Sequence, residues 1–244
     1  MRRTASLTLM LMGIAGCSKT LDPSLYPTPE SLYDAAVAMY ERGDCKMAQQ
    51  GFQRLIFELP PRDTRHANVR FFLAECQLKQ HLELEAAQQF RRVSDDFPRH
   101  ELAPQALLRA GDAYGELWDN PELDPTYGET ALATYTELLG RYPNSQAADS
   151  GRVRIQSLNE MFAGKGYKNG VFYLRLRAFD SAIIYFKDVV ARYPRTEAAG
   201  KSVVKLIEAY ARIGYVEEKT EMCLYRQQYY PDADGADKWC APDS

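Results

Sequence analysis

The sequence predicts an all-α protein, a solenoid of about five helical hairpins, and two observations carry that prediction. In AIIYFKDVVARYP, Ala182–Pro194, a small residue is followed by an aromatic four residues on, an apolar residue three further and a proline five beyond that. The same spacing recurs as Ala48-Phe52-Leu55-Pro60, Ala86-Phe90-Val93-Pro98 and Ala131-Tyr135-Leu138-Pro143, with a weaker fifth copy ending at Tyr230-Pro231. Proline stops a helix by removing a donor and clashing with the preceding turn, so each copy reads as one helix with a fixed end. Second, each copy is preceded by room for a partner helix. Hairpins that cannot bury their apolar faces alone do so by stacking.

The 244 residues hold five such hairpins at roughly 34 residues each, the size of the tetratricopeptide unit, with the fourth elongated. The first begins after Pro29 with Glu30 and Ser31, runs to Arg42, turns at Gly43-Asp44 and returns from Cys45 to Glu58. Ala67–Gln80 pairs with Leu84–Phe97, and Pro104–Leu117 with Glu129–Arg141 across the insertion LWDNPELDPTYG. In the fourth, Gln146–Phe162 reads as a helix, Gly164-Lys165-Gly166 as a weak point or kink, Tyr167–Arg177 as helix again and Phe179–Arg192 as its partner. Glu197–Ile213 with Glu217–Tyr229 completes the set. The expected division is therefore residues 30–143 for repeats one to three, 144–231 for repeats four and five, and 232–244 as a tail.

The N-terminus carries an address. MRRTASLTLMLMGIAGC has a short basic region and an apolar segment too short to span a bilayer, which fits a secretory signal over residues 1–16. Ile14-Ala15-Gly16-Cys17 resembles the bacterial lipobox, in which the cysteine is lipidated and becomes the new N-terminus. Two or three acyl chains hold a protein on a membrane where one would not. Ser18, a non-acidic residue after the lipidated position, implies outer-membrane delivery by that resemblance. Residues 17–29 contain three prolines and no helical pattern and read as a tether.

Catalytic signals are lacking. His66, His81 and His100 fall in or beside expected turns, read as solvent-exposed, and none has a second ligand at metal spacing. No nucleophile elbow, phosphate loop or zincin motif occurs, so the expectation is a binding protein without cofactor or metal. The net charge of −3 does not suggest a nucleic-acid binder. Its distribution is uneven: residues 18–148 carry 13 basic against 20 acidic side chains, 149–212 carry 12 against 6, and 213–244 carry 3 against 7. A basic segment between acidic ones suggests separate surfaces for separate partners, although solvated helix faces give the same pattern.

The remaining cysteines pair, as an expectation, Cys45 with Cys76 and Cys223 with Cys240, buried free thiols being the alternative. If the first helix of each repeat faces inward, Tyr33, Val37, Tyr40, Phe71, Leu107 and Tyr114 line a concave groove suited to an extended peptide with apolar anchors. Inter-helix packing is the competing role for each of them.

The lipobox cysteine, the five hairpins, DPTYGETALATYTELLGRYPNSQAAD and FYLRLRAFDSAIIYFKDVVARYPRTEAA together resemble the BamD family, lipoprotein subunits of the outer-membrane β-barrel assembly machinery. The resemblance covers nearly the whole mature chain. It implies a position on the periplasmic face of the outer membrane, held by the lipid. It further implies that the N-terminal repeats receive unfolded outer-membrane proteins and the C-terminal repeats dock on a BamA-like barrel subunit, beside other assembly lipoproteins. Candidate docking residues are Arg175, Arg177, Lys187, Arg192, Lys201 and Lys205, with Tyr185 where proteobacterial members carry an arginine. A different repeat lipoprotein, a scaffold for envelope or peptidoglycan maintenance, is the alternative.

Overall fold

The computed structural model describes residues 21–241. Among them, ten helices form five antiparallel hairpins: α1 (Pro29–Glu41) with α2 (Cys45–Glu58), α3 (Arg65–Leu78) with α4 (Glu83–Asp96), α5 (Ala103–Glu116) with α6 (Thr126–Arg141), α7 (Gln146–Arg175) with α8 (Phe179–Arg192), and α9 (Glu197–Ile213) with α10 (Val216–Tyr229). A four-residue α11 (Asp237–Cys240) follows. The backbones of odd-numbered helices approach those of the next odd-numbered helix, whereas α4 and α6 meet only through long side chains such as Arg91–Glu137 and Arg141–Asp95, so the odd helices form the inner side of the stack. No described helix is long and apolar enough to cross a membrane.

The repeated spacing is the core. Ala48, Phe52, Leu55, Ala86, Phe90, Val93, Ala131, Tyr135, Leu138, Ala182, Phe186 and Val189 are all buried, each large apolar side chain contributing about 1.5–3 kcal/mol. The aromatic-proline steps share one local geometry. Phe97, Tyr142, Tyr193 and Tyr230, each preceding a proline, end their helices at φ −129° to −138° and ψ 51° to 58°. A following proline disfavours the helical region, and the chain leaves each helix in the same way. In each linker between repeats the proline carbonyl accepts a hydrogen bond from a side chain of the next repeat. His66 Nε2 donates to Pro60 O at 3.1 Å, Tyr142 Oη to Pro98 O at 3.1 Å, Arg152 Nη2 to Pro143 O at 3.1 Å and Tyr230 Oη to Pro194 O at 2.8 Å. His66 is therefore buried in the first turn of α3 rather than solvent-exposed, because its ring closes this linker.

Four hairpins turn through a left-handed residue, namely Gly43, His81, Arg177 and Gly214 at φ 80°, 58°, 58° and 77°. The third uses the insertion instead. Its Trp118 is buried against Phe162 (centroids 4.5 Å), and Gly128 leaves the room that the indole occupies. From its tip, Leu123 O accepts from Lys165 Nζ at 2.6 Å and Glu122 pairs with Lys168 at 2.7 Å. The insertion thus lies against α7.

The expected weak point at Gly164–Gly166 is absent: α7 is one helix of 30 residues, about 45 Å long. Its glycines serve packing. A Cβ at Gly166 would stand 2.6 Å from Val189 Cγ2, and one at Gly170 would stand 2.5 Å from the Phe186 ring. Dense packing against α8 outweighs the intrinsic cost of glycine within a helix.

Both cysteine pairs are joined, Cys45–Cys76 across the first two repeats with Cα atoms 5.0 Å apart and Cys223–Cys240 between α10 and α11 at 5.8 Å. At the C-terminal end, Ala236, Trp239 and Tyr230 cover Val203, Val204 and Ile207. At the other end, the segment expected to be a tether is docked over its described part. Leu21 and Tyr26 pack on the first core, and the Leu21 N–H donates to Gln50 Oε1 at 2.9 Å.

Candidate functional site: a groove in two halves and a basic corner

Helical spacing sets out the inner wall. On α1, Tyr33, Val37 and Tyr40 fall at i, i+4 and i+7, forming one half-buried stripe. Asn68, Phe72, Glu75 and Lys79 form the corresponding stripe on α3. The two meet: Asn68 Nδ2 donates to Tyr33 Oη at 3.2 Å, Tyr40 packs on Phe72 with centroids 4.8 Å apart, and Lys79 Nζ lies 5.3 Å from the Tyr40 ring centre. Burial pushes the Tyr40 phenol up from its ordinary value. This half of the groove is aromatic with polar tips, suited to apolar side chains arriving from water.

Further along, the wall becomes ionic. Arg109 of α5 grips Glu75 of α3 through two bonds, Nε at 2.7 Å and Nη2 at 3.0 Å, and lies 5.8 Å from the Phe90 ring centre. The bonds to Glu75 hold the Arg109 guanidinium above its usual value. Asp112, one turn on, accepts from Arg154 Nε of α7 at 3.0 Å and from Tyr135 Oη of α6 at 2.8 Å. Burial first, then the Asp112 carboxylate, push the Tyr135 phenol up, so it remains a donor. These groups link the inner helices of repeats two, three and four, around a shallow pocket of about 280 Å³ lined by Arg109, Asp112, Tyr135 and Arg154.

Of the expected groove residues, Tyr33, Val37 and Tyr40 share this wall. Leu107 does not: it is fully buried in the third-repeat core. The polar residues Arg109, Asp112 and Glu116 mark the inner face of α5, which leaves Leu107 on the opposite, core-facing side. Phe71 is half-buried and directed edge-on at Phe90, 5.3 Å away, between repeats two and three. Tyr114 rests against the same core as Leu107. Phe72 was not expected, because two adjacent aromatics lie about 100° apart on a helix and only one of them can face inward.

The basic residues do not make a single patch. Arg175 and Arg177 are exposed at the α7–α8 turn, beside exposed Phe172 and Leu176. Tyr185 stacks on Tyr173 at 5.3 Å, and Lys187 and Ile184 are exposed on α8. Arg192 lies at the far end of α8, about 20 Å along the helix, near Asp188 and over Tyr193. Lys201 is paired with Glu197 at 2.5 Å and Lys205 with Glu208 at 2.7 Å. Burial pushes Glu208 up, but Lys205 and Arg212 outweigh it and hold the carboxyl below its usual range. The exposed corner is thus Arg175, Arg177, Phe172 and Leu176, an apolar and cationic mixture. Cys17 lies outside the described residues. Among the described residues no cluster of His, Cys, Asp or Glu could hold a metal ion.

Comparison with known proteins bears on what this arrangement serves. The chain is 28% identical over 220 residues to the outer membrane protein assembly factor BamD of Caulobacter vibrioides, covering 88% of this chain and 72% of that one. It is equally identical over 237 residues to the protein of the same name from Vibrio cholerae, covering 91% and 97%. Among solved structures, the tetratricopeptide domain of P58(IPK) overlaps 87% of this chain at 16% identity and a TM-score of 0.46, the match spanning about half (54%) of that domain. The family model described as YfiO, outer membrane lipoprotein, matches residues 27–224. With that match spanning most of its length, the chain belongs to the YfiO family of outer membrane lipoproteins.

Proposed function

We propose that this protein is a lipid-anchored assembly factor for outer-membrane proteins, working by binding alone from the periplasmic face. The observation that carries the reading is the separation of two unlike surfaces on one stack of hairpins. The aromatic half of the groove, Tyr33, Val37, Tyr40 and Phe72, would take apolar side chains of an unfolded barrel protein. The corner at the α7–α8 turn would dock a BamA-like barrel subunit, Phe172 and Leu176 supplying buried area and Arg175 and Arg177 orientation. Thirty continuous residues carry α7 past the 14 residues of α5 and the 16 of α6 to that corner. Residues 30–143 would then be the substrate half and 144–231 the docking half. Acylated Cys17 would keep both at the membrane, alongside other assembly lipoproteins.

The test is recovery of partners on the lipidated protein from solubilised outer membrane. A large barrel subunit should co-purify, and Arg175→Glu with Arg177→Glu should reduce its recovery at least several-fold. Tyr40→Ala with Phe72→Ala should leave that recovery unchanged while weakening binding of an aromatic-ended barrel peptide. Absence of any barrel subunit from the wild-type eluate would sink the assembly reading.

A further inference from the structure

We propose that the outer face of α2, together with the docked N-terminal segment, lies in the membrane interface, with Phe57 and Leu25 inserted among lipid headgroups. The proposal rests on the reading that Cys17 is acylated, and it adds which side of the solenoid faces the lipid.

The argument is one of reach. The Leu21 N–H is bonded to Gln50 of α2, and Leu21 and Tyr26 are packed on the first-repeat core. Only residues 18–20, four Cα-to-Cα steps, therefore separate the acylated cysteine from a fixed point on the protein. Four residues span at most about 14 Å fully extended. With the 2.9 Å hydrogen bond added, Gln50 Oε1 must stand within about 17 Å of the lipid attachment, close to the headgroup layer.

Phe57 lies seven residues beyond Gln50, almost two full turns, so it projects from the same stripe of α2 about 10 Å further along. It is 88% exposed, the largest value among the exposed large hydrophobic side chains of the described residues. Isolated exposed apolar residues are ordinary. This one is on the stripe that the anchor brings to the bilayer. The chain from Leu21 to Pro29 must run toward the C-terminal end of α2, because α1 begins opposite that end, and it carries Leu25, 66% exposed, in the same direction. Exposed Lys46, one turn before Gln50 on the stripe, would meet anionic headgroups. Apolar and basic side chains spread along one stripe are the pattern of interfacial segments lying along the membrane plane, and the acyl chains supply the affinity that two side chains alone would lack.

Nitroxide side chains at Phe57→Cys, at Leu25→Cys and, as control, at Val153→Cys on α7 would test this in the full lipidated protein. The vesicles would be phosphatidylethanolamine with phosphatidylglycerol. The ratio of collisions with oxygen to collisions with a water-soluble nickel complex should be several-fold higher at 57 and 25 than at 153. Equal ratios at all three positions, in protein that floats with the vesicles, would overturn the orientation while leaving the anchor intact. Protein that fails to float would overturn the acylation reading and this proposal with it.

Discussion

Gly164, Gly166 and Gly170 lie within two turns of α7, yet alanine should act in opposite directions at them. A Cβ at Gly164 meets nothing within 4 Å, so Gly164→Ala should gain the helix-propensity difference, about 1 kcal/mol. At Gly170 the new methyl would stand 2.5, 2.7 and 2.9 Å from three atoms of the Phe186 ring, which is fully buried and cannot swing aside. Overpacking of that kind costs about 1–3 kcal/mol, and propensity offsets about 1, leaving Gly170→Ala destabilised by about 0–2 kcal/mol. Gly166 faces a single Val189 methyl at 2.6 Å, which a rotamer change can relieve, and Gly166→Ala should fall between. In a chain of this size 1 kcal/mol moves the midpoint by about 2–4 °C. Thermal and urea unfolding of the mature protein, followed by circular dichroism at 222 nm, would rank the three variants. A loss of more than 1 kcal/mol in Gly164→Ala would refute the continuous helix. A gain in Gly170→Ala equal to that in Gly164→Ala would refute its close packing on α8.

Arg177→Gly should raise stability by about 1 kcal/mol, since Arg177 holds a left-handed φ of 58° that glycine adopts freely, while lowering recovery of the barrel subunit; unfolding midpoints and co-purification read the two effects separately. Thiol titration of the unreduced, denatured mature protein should find Cys45, Cys76, Cys223 and Cys240 unreactive, and four reactive thiols would end the pairing. Reduction should lower the midpoint, because the closures span 31 and 17 residues and each removes about 3–4 kcal/mol of denatured-chain entropy in the loop-closure model. Hydrogen bonds from Arg65 hold Asp63 down at about 2 against an ordinary 3.8, so its contribution is complete above pH 4 and is lost as pH falls toward 2. The stability difference between wild type and Asp63→Asn, measured by urea midpoints, should shrink over that interval. Arg109→Ala should cost about 2–3 kcal/mol, because Glu75 and Asp112, both mostly buried, lose their shared cation. A double-mutant cycle with Glu75→Gln would isolate the coupling.

The core was legible because Ala-Phe-Val-Pro and its variants combine two constraints that reinforce each other, a helical stripe and a fixed stop. The same local logic failed where a residue's role depends on a neighbouring repeat. Gly164-Lys165-Gly166 reads as a weakness until Val189 and Phe186 are brought against that face of α7. His66 looks like a turn residue until the Pro60 carbonyl is placed within hydrogen-bond reach of its Nε2. In the groove, the stripe Tyr33-Val37-Tyr40 was visible, whereas Leu107 was misassigned and Phe72 overlooked, since apolar residues cover more than half of α5 and α3. The better signal on α5 was polar. Arg109, Asp112 and Glu116 at i, i+3 and i+7 on an otherwise apolar helix point to the inner face, and their partners Glu75 and Arg154 lie 34 and 42 residues away.

The linker carbonyls held by His66, Tyr142, Arg152 and Tyr230 have a directional consequence. In each case the acceptor comes earlier in the chain and the donor later. A chain made from its N-terminus onward therefore exposes an open clasp at each proline, and the following hairpin brings the part that shuts it. Assembly of the stack can proceed by latching in order, each completed unit waiting only on its immediate successor. On the fifth repeat the short segment with Ala236 and Trp239, tied back by Cys240, takes the covering place that a following hairpin takes elsewhere.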